Sequence, residues 1–470
     1  MRRRVIDTGC APRFLVIRRH PATSTHPEKD SPMTRASQLA TKLFITTAAF
    51  AHATERLSTP IGTRFFLPAL FVDRFSNMGA IDKLEFTRQL DRCRSFTDEA
   101  WSGHWNELAE PHIATADAAL ERLGGPSVRE LLDDTNDTAI EHLGKLLAPA
   151  VSILSERGGQ PNPDLVERFI AEHPAHADAA TAVDALIKTT VYTFAASWPG
   201  WTPHRLQAYA VSRRLTHVLL LALAPAMDLV IEAVEIPAGN ETVRGYTLFP
   251  PGTHRVPTLL ATNGIEGTIA ELLFPSLAHR PAGLGVFAME MPGTYDYTQP
   301  MSLTSEAIYH HVIEYLAEHP RVDPSSIGMF GLSFGAYWST RMAATDPRLR
   351  AVVSNGAPAE KTWALTGSIG VPEIMAWTLA NTVAATGTFD LLRRLSTLTV
   401  RELCPQISIP LLVINGDSDT LVRSQDSIDI ATLTPRGLLE LYPGDDHCAM
   451  SHFDEWLDMS MRWVHTQLTT

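Results

Sequence analysis

Cysteine is scarce in this chain of 470 residues, which contains only four. The four are widely scattered and none has a paired CxxC spacing, so the sequence predicts neither a disulfide framework nor a zinc site. We therefore expect no metal and no cofactor. A reducing cytoplasm is the expected location.

Long apolar runs are also absent. The longest, Val218 to Met227, has about ten residues and is bounded by His217 and Asp228, which is too short to cross a bilayer. No integral membrane segment is expected.

The chain has no excess of basic residues: 39 Lys and Arg stand against 52 Asp and Glu, for a formal net charge of -13. Without a sustained Lys/Arg stripe, nucleic acid and anionic lipid are poor candidates for the main partner. A small-molecule substrate, neutral or modestly charged, fits this composition better. The hydrophobic content of 45% is ample for a sizeable core, so a disordered protein is excluded.

The N-terminal region has an unusual composition. Residues 1–32 carry six arginines and four prolines without a helical period, which is typical of a disordered extension or of a start codon assigned too far upstream. The following segment, Met33 to Ala53, loosely imitates a secretory signal. Because Thr46 and Thr47 interrupt its apolar stretch, we interpret it as a first amphipathic helix and keep export as a minor alternative.

Residues 33–228 show a helical pattern. Apolar residues recur at spacings of three to four, as in Ala116, Ala119, Leu120 and Leu123, and strand-like alternation is nearly absent. This pattern predicts an all-helical N-terminal domain.

The pattern then changes to strands that alternate with helices. Leu229–Ile236, Thr242–Phe249 and Val256–Thr262 are predicted strands separated by turn residues. The β-α-β series that follows predicts a second domain, 229–470, with a mostly parallel sheet and helices on both faces. Residues 357–403 lack clear strands and are predicted to form a helical insertion over the sheet edge.

A glycine-flanked serine, Gly331-Leu332-Ser333-Phe334-Gly335, stands between an apolar strand pattern at Ile327–Phe330 and a helical pattern at Ala336–Thr345. The nucleophile of an α/β-hydrolase needs such a sharp strand-to-helix turn, because small residues on either side let strand and helix approach closely. The sequence therefore predicts the α/β-hydrolase fold, preceded by the helical domain, with Ser333 as nucleophile.

An uncharged serine is a weak nucleophile, so a carboxylate and a histidine must assist it. In this fold the acid follows a later strand, and here Pro410–Asn415 leads into Gly416-Asp417-Ser418-Asp419. Asp419, which precedes an apolar pair able to anchor the loop, is the predicted acid. Asp417 stays open as the alternative, with capping of a turn as its other role.

His447 is the predicted base. It is the one histidine in a loop after a strand and downstream of the proposed acid, since the two later histidines fall at or inside the last helix. Asp445 and Asp446 precede it directly and are interpreted as loop and cap residues, because sequence neighbours rarely reach the ring.

The oxyanion formed during attack needs two backbone N–H donors. Phe334, directly after the nucleophile, is predicted to supply the first. Ile265, in the loop after the strand Val256–Thr262, is predicted to supply the second. Glu266 is then placed beside the scissile bond, or it is a carboxylate favoured by a helix N-terminus.

These motifs resemble the FrsA-like esterase family. The resemblance rests on the loop Asn263-Gly264-Ile265-Glu266, on the turn Met289–Gly293 and on the elbow and acid motifs. It extends into the helical part through Arg74–Gly79, and it covers roughly residues 65–470.

The resemblance implies a helical cap packed over the sheet, an active site between the two, and often a homodimer. The family includes a hydrolase of a carbon-carbon bond in a ketone, in which the residue matching Glu266 positions substrate, and fungal hydrolases that shorten polyketide chains. The sequence departs from the family pattern at two positions, since Asn263 replaces the first glycine of the loop and Glu290 replaces the usual Asp.

The predicted function is hydrolysis of a carboxylic ester, or of a carbon-carbon bond in a ketone or β-diketone, within a polyketide-like or aromatic small molecule. Acyl transfer by the same triad and a binding or regulatory module without turnover are the alternatives. Five tryptophans are candidates for an aromatic pocket, although core packing is their commoner role: Trp101, Trp105, Trp198, Trp201 and Trp377.

Overall fold

The computed structural model describes residues 17–19, 32–68, 70–133, 137–159, 162, 164–364, 367 and 369–470. The predicted extension at residues 1–32 therefore falls mostly outside the described residues. Within it, residues 17–19 form a short strand that pairs in parallel with the last strand of the sheet.

The region before the main sheet is helical, as predicted. It comprises α1 (Pro32–Phe50), α2 (Thr54–Ile61), α3 (Leu70–Ser76), α4 (Lys83–Leu90), α5 (Asp98–Leu123), α6 (Val128–Leu132), α7 (Asp137–Leu147), α8 (Ser152–Ser155), α9 (Asp164–Glu172), α10 (Ala177–Ser197) and α11 (Pro203–Leu223).

The centre of this helical region is the pair α5 and α10. Helix α10 buries nearly every side chain from Ala179 onward, which is expected of a helix enclosed on all sides. Trp101 and Trp105 of α5 are fully buried beside it, and the Trp101 Nε1–H donates to the Ala195 carbonyl at 2.9 Å. These two tryptophans therefore pack in the core.

The second region is built on a nine-stranded sheet with the order β1-β9-β8-β7-β6-β4-β5-β3-β2. The strands are β1 (Ile17–Arg19), β2 (Val230–Ala238), β3 (Glu241–Phe249), β4 (Val256–Thr262), β5 (Gly285–Met289), β6 (Val322–Leu332), β7 (Leu349–Asn355), β8 (Leu411–Gly416) and β9 (Gly437–Tyr442). Strand β3 pairs antiparallel with β2 and β5, and the other pairings are parallel.

Helices cover both faces of the sheet. The helices of this region are α12 (Ile269–Ser276), α13 (Glu306–Glu318), α14 (Phe334–Thr345), α15 (Glu373–Thr382), α16 (Thr388–Leu395), α17 (Ser424–Leu433) and α18 (Phe453–Thr469). Of these, α12, α13, α14, α17 and α18 pack against strands of the sheet. Successive residues of a strand point to opposite faces, and in β4 Leu259 packs in one apolar core while Leu260 packs in the other. The predicted α/β-hydrolase fold with a helical N-terminal region is confirmed.

The segment predicted as a helical insertion contains α15 and α16 and connects the interior strands β7 and β8. Helix α1 packs against α15. The Thr46 hydroxyl of α1 accepts from the Gly370 N–H at 2.8 Å, and His52 Nδ1 lies 2.8 Å from Glu373 Oε1. Helix α1 and the turn that follows it are therefore attached to the insertion.

Across the described residues, no helix combines the length and the apolar character that a membrane crossing would need.

Candidate active site

Ser333 lies at the turn between β6 and α14. Its backbone has φ 54° and ψ -120°, a strained conformation for a residue with a side chain and one characteristic of a nucleophile elbow. A Cβ at Gly331 would lie 2.1 Å from the Gly335 carbonyl oxygen, and one at Gly335 would lie 2.5 Å from that of Asn263. Both positions flanking Ser333 therefore require glycine.

His447 reaches Ser333 from the loop after β9. Its Nε2 lies 2.8 Å from Ser333 Oγ, and its Nδ1 lies 2.8 Å from Asp419 Oδ2. The side chains of His447 and Asp419 are 4% and 0% exposed. The structure thus brings the three sequence-predicted residues into one buried chain of hydrogen bonds.

Asp419 is held in place by three further contacts. Its Oδ1 accepts the backbone N–H groups of Leu421 and Val422, both at 2.8 Å, and its Oδ2 accepts from Asn415 Nδ2 at 2.9 Å. Asp417, by contrast, is exposed and accepts from the Gly444 N–H at 2.7 Å.

The environment of His447 favours the protonated imidazole. Burial alone lowers the pKa of His447, but the contact with the Asp419 carboxylate, together with Cys448, outweighs it and leaves the pKa well above 6.5. Asp446 accepts the backbone N–H of His447 at 2.8 Å and that of Thr420 at 2.7 Å. It therefore ties the loop of the histidine to the loop of the acid.

The loop after β4 forms a tight turn in which the Gly267 N–H donates to the Gly264 carbonyl at 3.2 Å. A Cβ at Gly264 would lie only 2.7 Å from the Cβ of Ser333, so the turn lies directly against Ser333. In the described part of the chain, the backbone N–H groups of Ile265 and Phe334 have no protein acceptor. Both residues border the same cavity as Ser333.

Glu266 occupies the left-handed position of this turn, with φ 58°. Its carboxylate is buried and accepts the Gly200 N–H at 2.6 Å, and its carbonyl accepts the Tyr295 hydroxyl at 2.9 Å. Burial raises the pKa of Glu266 to about 7. The side chain points at the loop between α10 and α11 of the N-terminal helical region, α1 to α11, which we call the cap. It is not among the side chains that line the cavity.

A sequence profile of the family described as "Esterase FrsA-like" matches residues 171–469, which is more than half of the chain. The chain belongs to the FrsA-like esterase family. The predicted resemblance is thereby confirmed.

Curated relatives match over shorter segments. Hydrolase LUC6 of Fusarium sp is 34% identical over 151 residues, which are 28% of this chain and 35% of that protein. Esterase FrsA of Photobacterium profundum is 24% identical over 181 residues, which are 37% of this chain and 42% of that protein. The chain thus aligns with less than half the length of these relatives.

Two solved structures share the fold over more of the chain. The 2,6-dihydroxy-pseudo-oxynicotine hydrolase superposes with a TM-score of 0.59 at 17% identity, over 84% of this chain and 95% of that one. AbyA5 superposes with a TM-score of 0.51 at 22% identity, over 66% and 90%. At these identities the likeness concerns the fold.

In this FrsA-like chain, Ser333 opens into a cavity of about 480 Å³. Side chains from α1, from the cap and from the insertion enclose it. Among the five candidate tryptophans, Trp198 and Trp377 border the cavity, which Trp363 also lines. The apolar wall consists mainly of Ala49, Phe50, Leu70, Phe71, Trp198, Trp363, Met375, Trp377, Leu379, Leu391, Leu392, Leu395, Leu421, Val422 and Met450.

The roles of Asn415 and of the Arg74–Glu271 pair were not predicted from the sequence, although Arg74 belongs to a segment that carries the family resemblance. Asn415 contacts Asp419, and its Oδ1 also accepts the Cys448 N–H at 2.9 Å. Arg74 and Glu271 form an ion pair at the edge of the cavity. The position of Asn415 at the end of β8 was a usable signal, since strand ends build the site in this fold. For the Arg74–Glu271 pair, no local pattern joins residues so far apart in the chain.

Proposed function

We propose that this protein is a serine hydrolase in which Ser333 attacks the carbonyl carbon of the substrate. The observation that carries the proposal is the continuous chain from Ser333 through His447 to Asp419, with 2.8 Å at both contacts. Nucleophile and base are within hydrogen-bond reach, and a third group orients the base, which is what nucleophilic catalysis by serine requires.

The proposed reaction proceeds through an acyl-enzyme. Ser333 Oγ bonds to the carbonyl carbon while His447 takes the serine proton, and the carbonyl oxygen becomes an oxyanion that the N–H groups of Ile265 and Phe334 bind. The oxyanion then returns to a carbonyl as the bond to the leaving group breaks, and His447 gives its proton to that group, which leaves an acyl-enzyme. Water, deprotonated by His447, attacks this acyl-enzyme in the same way and releases the acid and free Ser333. The two amides, which have no protein acceptor among the described residues, support this assignment.

The cavity favours an apolar, uncharged substrate. Its wall is mainly aliphatic and aromatic, and four of its polar side chains already form two pairs: Arg74 with Glu271 and His52 with Glu373. A charged substrate would lose hydration without gaining a partner there. Carboxylic esters and ketones or β-diketones both satisfy this condition, and in the second case His447 would protonate the departing carbanion.

Glu266 has an indirect place in this proposal. Its carboxylate binds the Gly200 N–H, and Trp198 of the same cap loop lines the cavity. We infer that Glu266 positions substrate by fixing this loop, without touching the substrate itself.

The test is a Ser333→Ala variant assayed with a panel of apolar esters and of aromatic β-diketones, together with labelling by a fluorophosphonate probe. We expect turnover to fall by about 10³-fold or more and labelling to disappear. A Ser418→Ala variant, altered in the exposed loop beside the acid, is the matched control and should keep both.

Full turnover by Ser333→Ala on both panels would refute the proposal. A wild-type protein that neither reacts with the probe nor turns over either panel would favour a binding module. Product analysis with competing alcohols separates hydrolysis from acyl transfer, because only a transferase forms the new ester in preference to the acid.

A further inference from the structure

Arg74 of helix α3 reaches from the cap to the catalytic domain. Its Nε donates to Glu271 Oε1 at 2.7 Å, and its Nη2 donates to Glu271 Oε2 at 3.0 Å. The same Nη2 donates to the backbone carbonyl of Glu266 at 2.8 Å. A cap residue thus binds both the first turn of α12 and the loop that precedes it. Its contact with Glu271 is bidentate, which is the geometry in which arginine binds carboxylates most strongly.

Asn263 closes the other end of the same loop. Its Nδ2 donates to Glu271 Oε2 at 2.9 Å and to the Thr268 carbonyl at 3.2 Å, while its Oδ1 accepts the Gly264 N–H at 3.0 Å. Asn263 is buried, and Arg74 and Glu271 are 12% and 7% exposed. A glycine at position 263 could make none of these side-chain contacts.

The 263–268 loop packs directly against the turn that carries Ser333. A Cβ at Gly264 would lie 2.7 Å from Ser333 Cβ, and one at Gly335 would lie 2.5 Å from the Asn263 carbonyl oxygen. An oxyanion donor acts only when it lies about 2.7 to 3.1 Å from the developing charge. Small displacements of the 263–268 loop therefore change how well Ile265 can serve.

We propose that Arg74, Glu271 and Asn263 are positioning residues that hold the 263–268 loop, which carries the oxyanion donor Ile265, in its catalytic geometry. The cap thus contributes to the rate of the chemical step as well as to the shape of the cavity. This inference rests on the proposed role of Ser333. It differs from a purely structural role, in which the ion pair would only attach the cap to the catalytic domain.

The experiment compares Glu271→Gln, Asn263→Ala and Arg74→Lys with wild type, using an ester that wild type turns over. We expect kcat to fall by about tenfold to a hundredfold, somewhat less than the loss of a whole oxyanion donor, while KM changes by less than about threefold. Binding of a trifluoromethyl ketone, which forms a tetrahedral oxyanion adduct with serine, should weaken by the same factor as kcat.

The matched control is Asp184→Asn, which breaks the buried Arg157–Asp184 ion pair inside the cap. It should lower the melting temperature and leave kcat unchanged. Arg74→Lys keeps the positive charge but cannot make the bidentate contact with Glu271, so it remains informative if Glu271→Gln does not fold.

Unchanged kcat and unchanged adduct binding in the soluble variants, with only a lower melting temperature as in Asp184→Asn, would overturn the inference. That result is distinct from failure of the proposed function, which appears as full turnover by Ser333→Ala. If Ser333→Ala is inactive while the three variants keep wild-type kcat, the serine mechanism stands and the positioning role is wrong.

Discussion

The carboxyl ends of the central strands and the wall of the cavity are built in different ways. At the strand ends, Ser333, His447 and Asp419 are joined by two contacts of 2.8 Å. The wall, in contrast, collects many apolar side chains from helix α1, the cap and the insertion. Each contact at the strand ends is strong and specific, whereas each wall contact is weak. Substitutions in the two regions should therefore have effects of very different size.

The largest effect is expected at the acid. Asp419→Asn keeps the shape of the side chain but removes the charge that stabilises the imidazolium, so we expect kcat to fall by about 10³ to 10⁴-fold with little change in KM. Asp417→Asn, the competing position in the same loop, should retain kcat. Steady-state kinetics of both variants measure this, and a loss of kcat in Asp417→Asn alone would reverse the assignment.

The second prediction concerns pH. As a base His447 must be neutral, and its pKa is raised well above 6.5 by Asp419 against the opposing effect of burial. We expect kcat/KM to fall about tenfold per pH unit below that pKa. Asp419→Asn removes the largest of the effects that raise this pKa, so the half-maximal pH should move to lower values. A wild-type profile that stays flat down to pH 5 would contradict a catalytic role for this histidine.

The wall should show a smaller effect that depends on substrate. Trp377 lines the cavity and is 40% exposed, whereas Phe389, in the same insertion, is 91% exposed and lies outside the cavity lining. We expect Trp377→Ala to raise KM about tenfold for a long or aromatic ester and to leave a short acetate ester unchanged. Phe389→Ala should change neither, and an equal loss for both esters in Trp377→Ala would count against a wall contact.

The smallest effect is on stability. Burial raises the pKa of Glu290 to about 8 from 4.5, while Tyr209 donates to it from the cap at 2.7 Å. The protonated form therefore contributes stability that is complete below pH 4.5 and is lost as pH rises through 8. The melting temperature of wild type should fall between pH 6 and pH 9. In Glu290→Gln, this fall should be smaller than in wild type by about 2–4 °C or more.

The exposed Glu235 on β2 provides the control. Glu235→Gln should leave the pH dependence of the melting temperature as it is in wild type. Equal slopes in wild type and Glu290→Gln would show that Glu290 is already ionised at pH 6.

The sequence predicted the regions in which few residues decide the structure. The glycines around Ser333 are required by close backbone contacts, so the elbow appears as a local motif. The loop after β8, which carries Asp419, follows from an alternating strand and helix pattern. The direction of the Glu266 side chain could not be predicted from local sequence, because its partner Gly200 lies in a loop of the cap that is distant in the chain.

The wall of the cavity could not be read from the sequence for the same reason. Five tryptophans looked alike as candidates, yet Trp101 and Trp105 are core residues and Trp198 and Trp377 border the cavity. Trp363, which is also in the wall, was not a candidate. Apolar residues carry no local mark that distinguishes a cavity wall from a packed core, since the same hydrophobic effect selects both.

Helix α1 and the turn after it are joined to the insertion, since the Gly370 N–H donates to the Thr46 hydroxyl and His52 contacts Glu373, and these contacts have a consequence for evolution. They join two segments that supply cavity side chains but no member of the Ser333 hydrogen-bond chain. Mutations can accumulate in both segments without disturbing that chain, so substrate preference can drift while the chemistry is conserved. Proteins with this architecture can acquire new substrates through substitutions in one wall of the cavity.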